Sequence, residues 1–342
     1  MKAEKKFKLA LVGSDSMRGR EIKNLLNLKK FPAASMEFFD RDIEEEYSKL
    51  TQFRDEPKVI HALKEDALQD LDLVFLAADK KTNREVGGLA EKLNFQAIDL
   101  SETFDAEEDI PTLVAGINDG ILMQRRYPVM ANPHPVAIIL SHFFHLLIPS
   151  FGLAKAISFV LQPASAYDNP GIQELASQSV ALLNSASFSK KVFKEQVAFN
   201  ILSHTETPDK NGFGSSEKRI VHEIRKVLDR PDLPLSLSII QAPVFHTYSL
   251  MIYLELVREA EIEDLENLYK KSQFFRVAPF RESCSASAVS VSGKDEIFIG
   301  PIKKEEAFPC GFWVWLVADN LTRGSALNTF EIARKLLLGH TP

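Results

Sequence analysis

Hydrophobic residues in the first third of the chain form short apolar runs separated by segments with helical spacing. The run FKLALVG at 7–13 is followed by a helical pattern from Met17 to Leu28. Further apolar runs predict strands at 36–40, 56–61, 71–78, 96–100 and 112–115, with a helix from about Thr82 to Leu93. Strands that alternate with helices predict an α/β domain with a doubly wound parallel sheet and helices on both of its faces.

The pattern changes near Asn132, after which the strands and helices become longer. The apolar stretch 134–148 predicts a helix with a proline near its first turn. Strands are predicted at 155–163, 235–243, 247–257, 296–302 and 311–317, and helices at 171–184, 215–228 and 260–272, with Ser215 as the N-cap of the second helix. A final helix from Ser325 to Leu338 is expected to return to the first domain. We therefore predict one domain over 1–131 and 322–342, and a second domain with a mixed or antiparallel sheet over 132–321.

Composition and charge exclude several classes of protein. The net charge is -6 and no basic cluster stands out, so we expect no nucleic-acid binding. No run of about 20 apolar residues is present, so we expect no membrane span. The two cysteines, Cys284 and Cys310, have neither disulfide-framework nor metal-site spacing, which is typical of a reducing cytoplasm.

The turn between the first strand and the first helix is a candidate dinucleotide site. Gly13, Ser16 and Gly19 occupy the three positions that are glycine in a G-x-x-G-x-x-G loop. Serine adds a Cβ where a pyrophosphate would approach the helix N-terminus, although its hydroxyl is able to donate to a phosphate. The alternative interpretation is a strand–helix turn that binds no ligand.

Asp40 ends the second predicted strand, about 21 positions after Gly19. A carboxylate there commonly binds a ribose 2′-hydroxyl and repels a 2′-phosphate, which favours NAD over NADP. Arg41 follows directly and works against that preference. The alternative is that Asp40 is a strand-end carboxylate held by loop amides.

Several short segments are similar, in order and spacing, to the aspartate-semialdehyde dehydrogenase family. They are the loop at 12–19, Ala131-Asn132-Pro133, VAFN at 197–200, EIRK at 223–226, PVF at 243–245, and ADNL at 318–321 continuing into RGSALN at 323–328. The resemblance implies a Rossmann-like NAD(P)-binding domain, an α+β dimerisation domain and a role in amino-acid biosynthesis. It also places Asn320 at the cofactor.

The family reaction requires a cysteine nucleophile and a histidine base, and the chain has neither at the matching positions. Pro135 follows Asn132-Pro133-His134 where the cysteine is expected, and proline has no nucleophilic side chain. Tyr248 stands at the histidine position, and a phenol titrates near pH 10. His246, two residues earlier, is a substitute base if it lies on the same strand face.

Both anion-binding positions are also altered. Gln241 stands where an arginine holds the substrate carboxylate, and a neutral amide makes no bidentate charge-assisted pair. Asp105 stands where an arginine holds phosphate, so the charge is reversed. The glutamine position is kept as Gln162, Glu217 matches a glutamate near the substrate amine, and Arg219 replaces a lysine. For these three, ordinary surface or strand-end polarity is the alternative interpretation.

The four replacements resemble the non-catalytic, Usg-like branch of the family. Tyr167 and Asp168 occupy positions at which the family keeps glycines beside the cofactor, so we expect NAD or NADP binding to be weak or absent. Three hypotheses remain open: an inactive homodimer that binds a dinucleotide or small metabolite, an active oxidoreductase that uses rearranged residues such as His246, and a structural partner of an active paralogue.

Two further features have ordinary explanations. His142 and His145 are spaced i, i+3 on an apolar helix without a third metal ligand, so we interpret them as buried or interface residues and predict no metal site. Trp313 and Trp315 alternate on one strand and therefore share a face, which we assign to the core or to a dimer interface.

Overall fold

The elements of the chain follow one another as short strand–helix units and then as longer strands and helices. The computed structural model describes residues 6–41, 43, 49–105, 107–203, 206–278 and 286–339. The first elements are β1 (Phe7–Val12), α1 (Met17–Leu28), β2 (Ala33–Asp40), β3 (Lys49–Phe53), β4 (Glu56–Ala62), β5 (Leu73–Leu76), α2 (Lys80–Gly88), β6 (Gln96–Asp99) and β7 (Val129–Ala131). The remaining elements are α3 (Pro135–Phe151), β8 (Lys155–Gln162), α4 (Asp168–Leu183), α5 (Ser215–Leu228), β9 (Leu235–Gln241), β10 (Tyr248–Glu255), α6 (Ile262–Lys270), β11 (Phe275–Val277), α7 (Ala288–Val291), β12 (Ile297–Lys304), β13 (Gly311–Ala318) and α8 (Leu327–Leu338).

The chain divides into two compact units. The first comprises Met1–His134 and Ser325–Pro342, and therefore includes α8, while the second is Pro135–Gly324. The structure places the two boundaries after His134 and Gly324, each three residues later than the positions 131 and 321 expected from the sequence. Among the described residues, no helix is long and apolar enough to cross a membrane.

The first unit is the doubly wound domain that the pattern predicts. Its sheet has the order β3-β4-β2-β1-β5-β6-β7, and every neighbouring pair is parallel except the β3–β4 hairpin. Alternation along β1 assigns its side chains to the two faces of the sheet: Leu9 and Leu11 pack in the cluster that contains α1 and α8, whereas Ala10 and Val12 pack in the cluster that contains α2.

The strand predicted at 112–115 is wrong, and the short strands β3 and β7 were not predicted. Only Thr112 forms a bridge, to Ala131. Side chains take the place of a ladder partner for the rest of the segment: Asn118 accepts from the Val114 N–H at 2.8 Å, and Asn328 accepts from the Ala115 N–H at 2.8 Å. Backbone groups that are satisfied in this way no longer need a neighbouring strand.

The second unit has a mixed sheet of order β11-β12-β13-β10-β8-β9, with the outermost pairs parallel and the inner ones antiparallel. The strands β9 and β10, which follow one another in sequence, are not neighbours because β8 lies between them. Helices α3, α5 and α6 pack with Phe312, Val314 and Leu316 on one face of this sheet.

Trp313 and Trp315 lie on the opposite face of β13 and are only half-buried. Placing them in the core was therefore wrong, whereas their assignment to a dimer interface stays a prediction. The N-cap assigned to Ser215 is also wrong. Gly214 precedes the helix α5, and its N–H donates to the Glu217 carboxylate at 2.7 Å, so Ser215 is the first helical residue.

Candidate functional site

The turn after β1 has the backbone geometry of a dinucleotide-binding loop. Gly13 has a φ of +86°, and a Cβ there would come within 2.3 Å of the Ala78 nitrogen. A Cβ on Gly19 would lie 2.1 Å from the Gly13 carbonyl oxygen. Both positions therefore need glycine for the close approach of helix α1 to the sheet, with or without a bound ligand.

Ser16 uses its hydroxyl inside the loop. It is the N-cap of α1 and accepts from the Gly19 N–H at 2.9 Å, while its own proton is donated to the Gly13 carbonyl oxygen at 3.0 Å. The sequence suggested that this hydroxyl is available to donate to a phosphate, but the geometry commits it elsewhere. It also occupies one of the N–H donors with which a helix N-terminus binds a pyrophosphate.

Asp40 lies half-buried at the carboxyl end of β2, beside the loop. Ser14 Oγ donates to its carboxylate at 3.4 Å. Burial and then the neighbouring charge of Asp15 raise the pKa of Asp40 above its ordinary value. The following residue, Arg41, is paired with Glu85. The carboxylate therefore lies beside the loop in surroundings that disfavour its charged form.

Asp105 is buried at the end of the turn that follows β6. The turn is organised by Asp99, whose carboxylate accepts from the backbone N–H groups of Ser101, Thr103 and Phe104. Burial raises the pKa of Asp99 despite these hydrogen bonds. Position 105 therefore carries a buried carboxyl group where the family resemblance implies an arginine.

Pro135 is the first residue of α3, and it is buried. A proline suits this position because its missing N–H has no partner in the first turn of a helix. A Cβ added to Gly324 would lie 2.7 Å from the Pro135 Cβ, so the pyrrolidine ring fills the space against that glycine. The residue at the nucleophile position is thus the buried first residue of α3, and its ring packs against Gly324.

Gln162, Gln241 and Tyr248 are brought together into one hydrogen-bonded network. Gln162 and Gln241 are register partners at the carboxyl ends of the parallel strands β8 and β9. Gln162 Nε2 donates to Gln241 Oε1 at 3.1 Å, and Gln241 Nε2 donates back to the Gln162 carbonyl at 3.0 Å. The Tyr248 hydroxyl donates to Gln162 Oε1 at 3.4 Å. All three side chains are buried, and the polar groups at these positions largely satisfy one another.

His246 lies just before the strand β10, so it does not meet the condition of sharing a strand face with Tyr248. The strand β10 begins at Tyr248, and Thr247 between them has a φ of +72°, which breaks the alternation of side chains. Thr247 is held in this conformation by hydrogen bonds from its N–H to Asn320 at 3.0 Å and from its hydroxyl to the carbonyl oxygens of His246 and Ala288. A β-branched residue is rarely found there.

Asn320 joins two loops of the second unit. Its Oδ1 accepts from the Thr247 N–H, and its side chain is hydrogen-bonded to the Ser165 hydroxyl at 3.1–3.2 Å. The side chain that the resemblance places at the cofactor is therefore buried and engaged by the protein.

Asp168, at a glycine position of the family, has a φ of 55° and a ψ of -155°, a region that is nearly specific to glycine. Tyr167 packs edge-on against Phe193, with ring centroids 5.1 Å apart.

Glu217 and Gln162 both line a pocket of about 150 Å³ in the second unit. One Glu217 oxygen accepts from the Gly214 N–H and the other from the Ile239 N–H at 2.8 Å. Arg219 lies on the same helix, with its Nε 3.9 Å from the buried Glu223 carboxylate. Of these site residues, Glu217 is the one that lines the pocket beside Gln162.

Glu206 is a pocket residue that sequence reasoning missed. Its carboxylate accepts from the Ser216 N–H at 2.9 Å and from the hydroxyls of Ser215 and Ser216. Burial raises the pKa of Glu206, but the hydrogen bonds from Ser216 and Ser215 outweigh it and hold the pKa below its ordinary value. The residue precedes α5 by nine positions within a polar loop, so no periodic signal marks it.

The described residues contain no group of three or more metal-ligating side chains. His142 is fully buried against Phe274, with ring centroids 4.2 Å apart, and burial lowers its pKa well below the ordinary value. Cys310 is a free, half-buried thiol, and Cys284 lies outside the described residues.

Comparison with known proteins gives consistent matches for both units. Residues 8–123 match the family model described as semialdehyde dehydrogenase, NAD binding domain, and residues 146–323 match that of its dimerisation domain. The aspartate-semialdehyde dehydrogenase of Legionella pneumophila is 26% identical over 333 residues, covering 96% of this chain and 95% of that protein.

Solved structures show the same fold. Aspartate semialdehyde dehydrogenase II of Vibrio cholerae, in complex with ASA, superposes with a TM-score of 0.90 at 22% identity and covers 98% of this chain and 99% of that one. The aspartate semialdehyde dehydrogenase of Candida albicans with NADP has a TM-score of 0.71 at 13% identity, with 97% and 98% covered.

Proposed function

The chain belongs to the semialdehyde dehydrogenase family, and we propose that it is a non-catalytic, dimeric member in its Usg-like branch. The observation that carries the proposal is Pro135. In the family reaction a thiolate must form a thioester that phosphate then cleaves, and a proline provides no atom for that bond. The pyrrolidine ring also starts α3 and packs at Gly324.

The network of Gln162, Gln241 and Tyr248 supports the same proposal. In a working site these positions would present a base, an amide for the acyl group and a cation for the carboxylate. Here the two amides and the phenol bind one another, so a substrate would have to break buried hydrogen bonds before it made its own. Asp105 provides no cation that could hold a phosphate.

We further propose that NAD or NADP binds weakly or not at all, and that any retained ligand is a small metabolite. Ser16, Asn320 and Asp168 support this, since the first two side chains are engaged by the protein and the third adds a side chain at a glycine-type position. Membership of a family whose domain binds NAD does not by itself preserve affinity for NAD, because binding depends on the side chains at the site and not on the fold.

The decisive assay measures NADH or NADPH formation from aspartate semialdehyde, with and without phosphate. We expect no turnover above background for the natural chain. Pro135→Cys alone should also remain inactive, because Tyr248 is no base at neutral pH and the effects of residues that act as a unit are not additive. Clear turnover by the natural chain would instead support an oxidoreductase with rearranged residues.

A further inference from the structure

An ion pair joins the start of α1, directly after the glycine loop, to the turn that follows β6. The guanidinium of Arg18, the second residue of α1, donates to the Glu102 carboxylate at 2.7 Å. The two side chains are 24% and 13% exposed, so water and salt screen this pair less than an ion pair on the open surface. The contact thus links two segments of the first unit that are 84 positions apart in sequence.

The order of the strands places this ion pair across the crevice in which such a fold binds its ligands. In the sheet, β2 lies on one side of β1, whereas β5 and then β6 lie on the other. Open α/β sheets bind ligands outside the carboxyl ends of the strands, at the point where the strand order changes direction, which here lies between β1 and β5. The ion pair extends from the carboxyl end of β1, past that of β5, to that of β6.

A dinucleotide in this crevice has a defined direction. Its adenosine ribose lies toward the end of β2, which carries Asp40, and its pyrophosphate lies at the N-terminus of α1. The second nucleoside therefore has to continue past β5, on the side that Arg18 and Glu102 occupy. The residues present do not fit a dinucleotide there, because a carboxylate already holds the guanidinium that is able to meet a pyrophosphate.

Both ends of the ion pair are held by the fold. Arg18 lies in the first turn of a regular helix. The turn that carries Glu102 is tied to α2, because Arg84 donates to the Thr103 carbonyl oxygen at 3.1 Å. Glu102 itself has a φ of +62°, which a residue other than glycine keeps only where neighbouring contacts determine its conformation. The pair therefore does not open by the swing of a loose loop, and a ligand has to break it.

We propose that the Arg18–Glu102 ion pair is an autoinhibitory latch that closes the β5–β6 side of the dinucleotide crevice. The latch obstructs the second nucleoside of NAD or NADP and does not reach the β2 side, where Asp40 lies. This inference rests on the proposed weak binding of NAD or NADP and identifies one cause of it. It also explains why a loop with the glycine geometry of a dinucleotide site belongs to a unit with little affinity for one.

Calorimetry with NAD on a set of charge variants tests the latch. Arg18→Met and Glu102→Gln change the charge of the crevice in opposite directions, yet each opens the latch, so each should raise NAD affinity about tenfold. A general electrostatic effect on the anionic NAD would instead lower the affinity of Arg18→Met. The double variant with Arg18→Glu and Glu102→Arg restores an ion pair at unchanged net charge, and it should bind NAD as weakly as the natural chain.

ADP tests which side of the crevice the latch closes. It contains the adenosine and the pyrophosphate but no second nucleoside, so its affinity should change by less than about twofold in both single variants. Glu65→Gln is the matched control. Glu65 pairs with Lys92, and these residues precede β5 and β6, so that ion pair lies at the opposite edge of the sheet and its loss should leave NAD affinity unchanged.

Urea unfolding checks that each variant is folded. A gain in NAD affinity for only one of the two single variants, a charge-swapped variant that binds NAD as tightly as they do, or no NAD binding by either at millimolar concentration would overturn the latch. An equal gain for ADP would contradict its place on the β5–β6 side. Tight NAD binding by the natural chain would contradict the proposed weak binding itself, whereas turnover is measured separately and tests the proposed lack of catalysis.

Discussion

At the scale of single residues, a side chain can take the place of a ligand. The Ser16 hydroxyl accepts the Gly19 N–H and donates to the Gly13 carbonyl, so the helix N-terminus is partly satisfied before any phosphate arrives. The two glycines keep their positions because the backbone itself requires them. The loop thus retains the form of a dinucleotide site while one of its donors is used internally.

Ser16→Gly is expected to raise dinucleotide affinity about tenfold, because it frees the Gly19 N–H and removes the Cβ from the phosphate approach. Its stability cost should be a few tenths of a kcal/mol, against about 1 kcal/mol for Ser16→Ala. Calorimetry with NAD and with ADP-ribose, which lacks the nicotinamide ring, measures the gain. Unchanged affinity for both ligands in Ser16→Gly would contradict this role, and Ser16→Ala separates the hydroxyl from the Cβ.

The charge of Asp40 is expected to cost stability. Burial and Asp15 raise its pKa in the folded chain, so folding disfavours the ionised form. The cost is absent below the pKa of the unfolded chain, appears as the pH rises through the folded pKa, and persists at neutral pH. Asp40→Asn should therefore be more stable than the natural chain at pH 7, and the difference should shrink toward about pH 4, as urea unfolding would show. An asparagine variant that is less stable at pH 7 would contradict this.

At the scale of elements, two loops keep a backbone conformation that suits glycine although they carry larger residues. Asp168 begins α4 with a φ of 55°, and Thr247 precedes β10 with a φ of +72°. Thr247 is held in place by the hydrogen bonds that it donates to Asn320, His246 and Ala288. Such strain persists only where neighbouring contacts determine the conformation.

Asp168→Gly should be more stable than Asp168→Ala by about 1–2 kcal/mol. Both variants lack the carboxylate, so their difference measures the cost of a Cβ in this backbone conformation. Chemical denaturation at one protein concentration gives the comparison. At an ordinary helical position the order would be reversed, because glycine is the poorer helix former, and such an order here would contradict the strain.

At the scale of the whole molecule, the second unit presents an apolar sheet face. Register places Phe159, Met251 and Trp315 in one row across β8, β10 and β13, and Ile157, Tyr253 and Trp313 in the next. Phe159 is 41% exposed and Ile157 37% exposed, while helices α3, α5 and α6 pack on the opposite face. An apolar face of this kind suits a two-fold interface with a second copy.

Light scattering should find a dimer at micromolar concentration, and Phe159→Lys should convert it to a monomer by placing a charge in the centre of the interface. Leu28→Lys is the matched control, because Leu28 is equally apolar, 75% exposed and located in the first unit. A monomeric natural chain, or a dimer that Leu28→Lys disrupts as strongly as Phe159→Lys, would reject this interface.

The sequence by itself determined the type and approximate limits of most elements and the identity of the residue at each family position. Helix α1 lies where its spacing predicts it, and Pro135 replaces a nucleophile whatever its surroundings. The helix could be predicted because the spacing of apolar residues indicates which side of an element is buried. The loss of the nucleophile could be predicted because the residue type at a position is known before the fold is. The edge strands β3 and β7 were not predicted because they are short and their apolar residues show little periodicity.

The tertiary structure alone decided which polar groups satisfy one another. Gln162 meets Gln241 and Tyr248, 79 and 86 positions away, because β8 lies between β9 and β10, an order that spacing along the chain does not encode. The sequence likewise contained no sign that Glu206 accepts from the Ser216 N–H at the start of α5. Nor did it indicate the positive φ of Thr247, which separates His246 from the face on which Tyr248 lies. Hydrogen bonds depend on distance and direction between groups remote in sequence, and folding alone sets both.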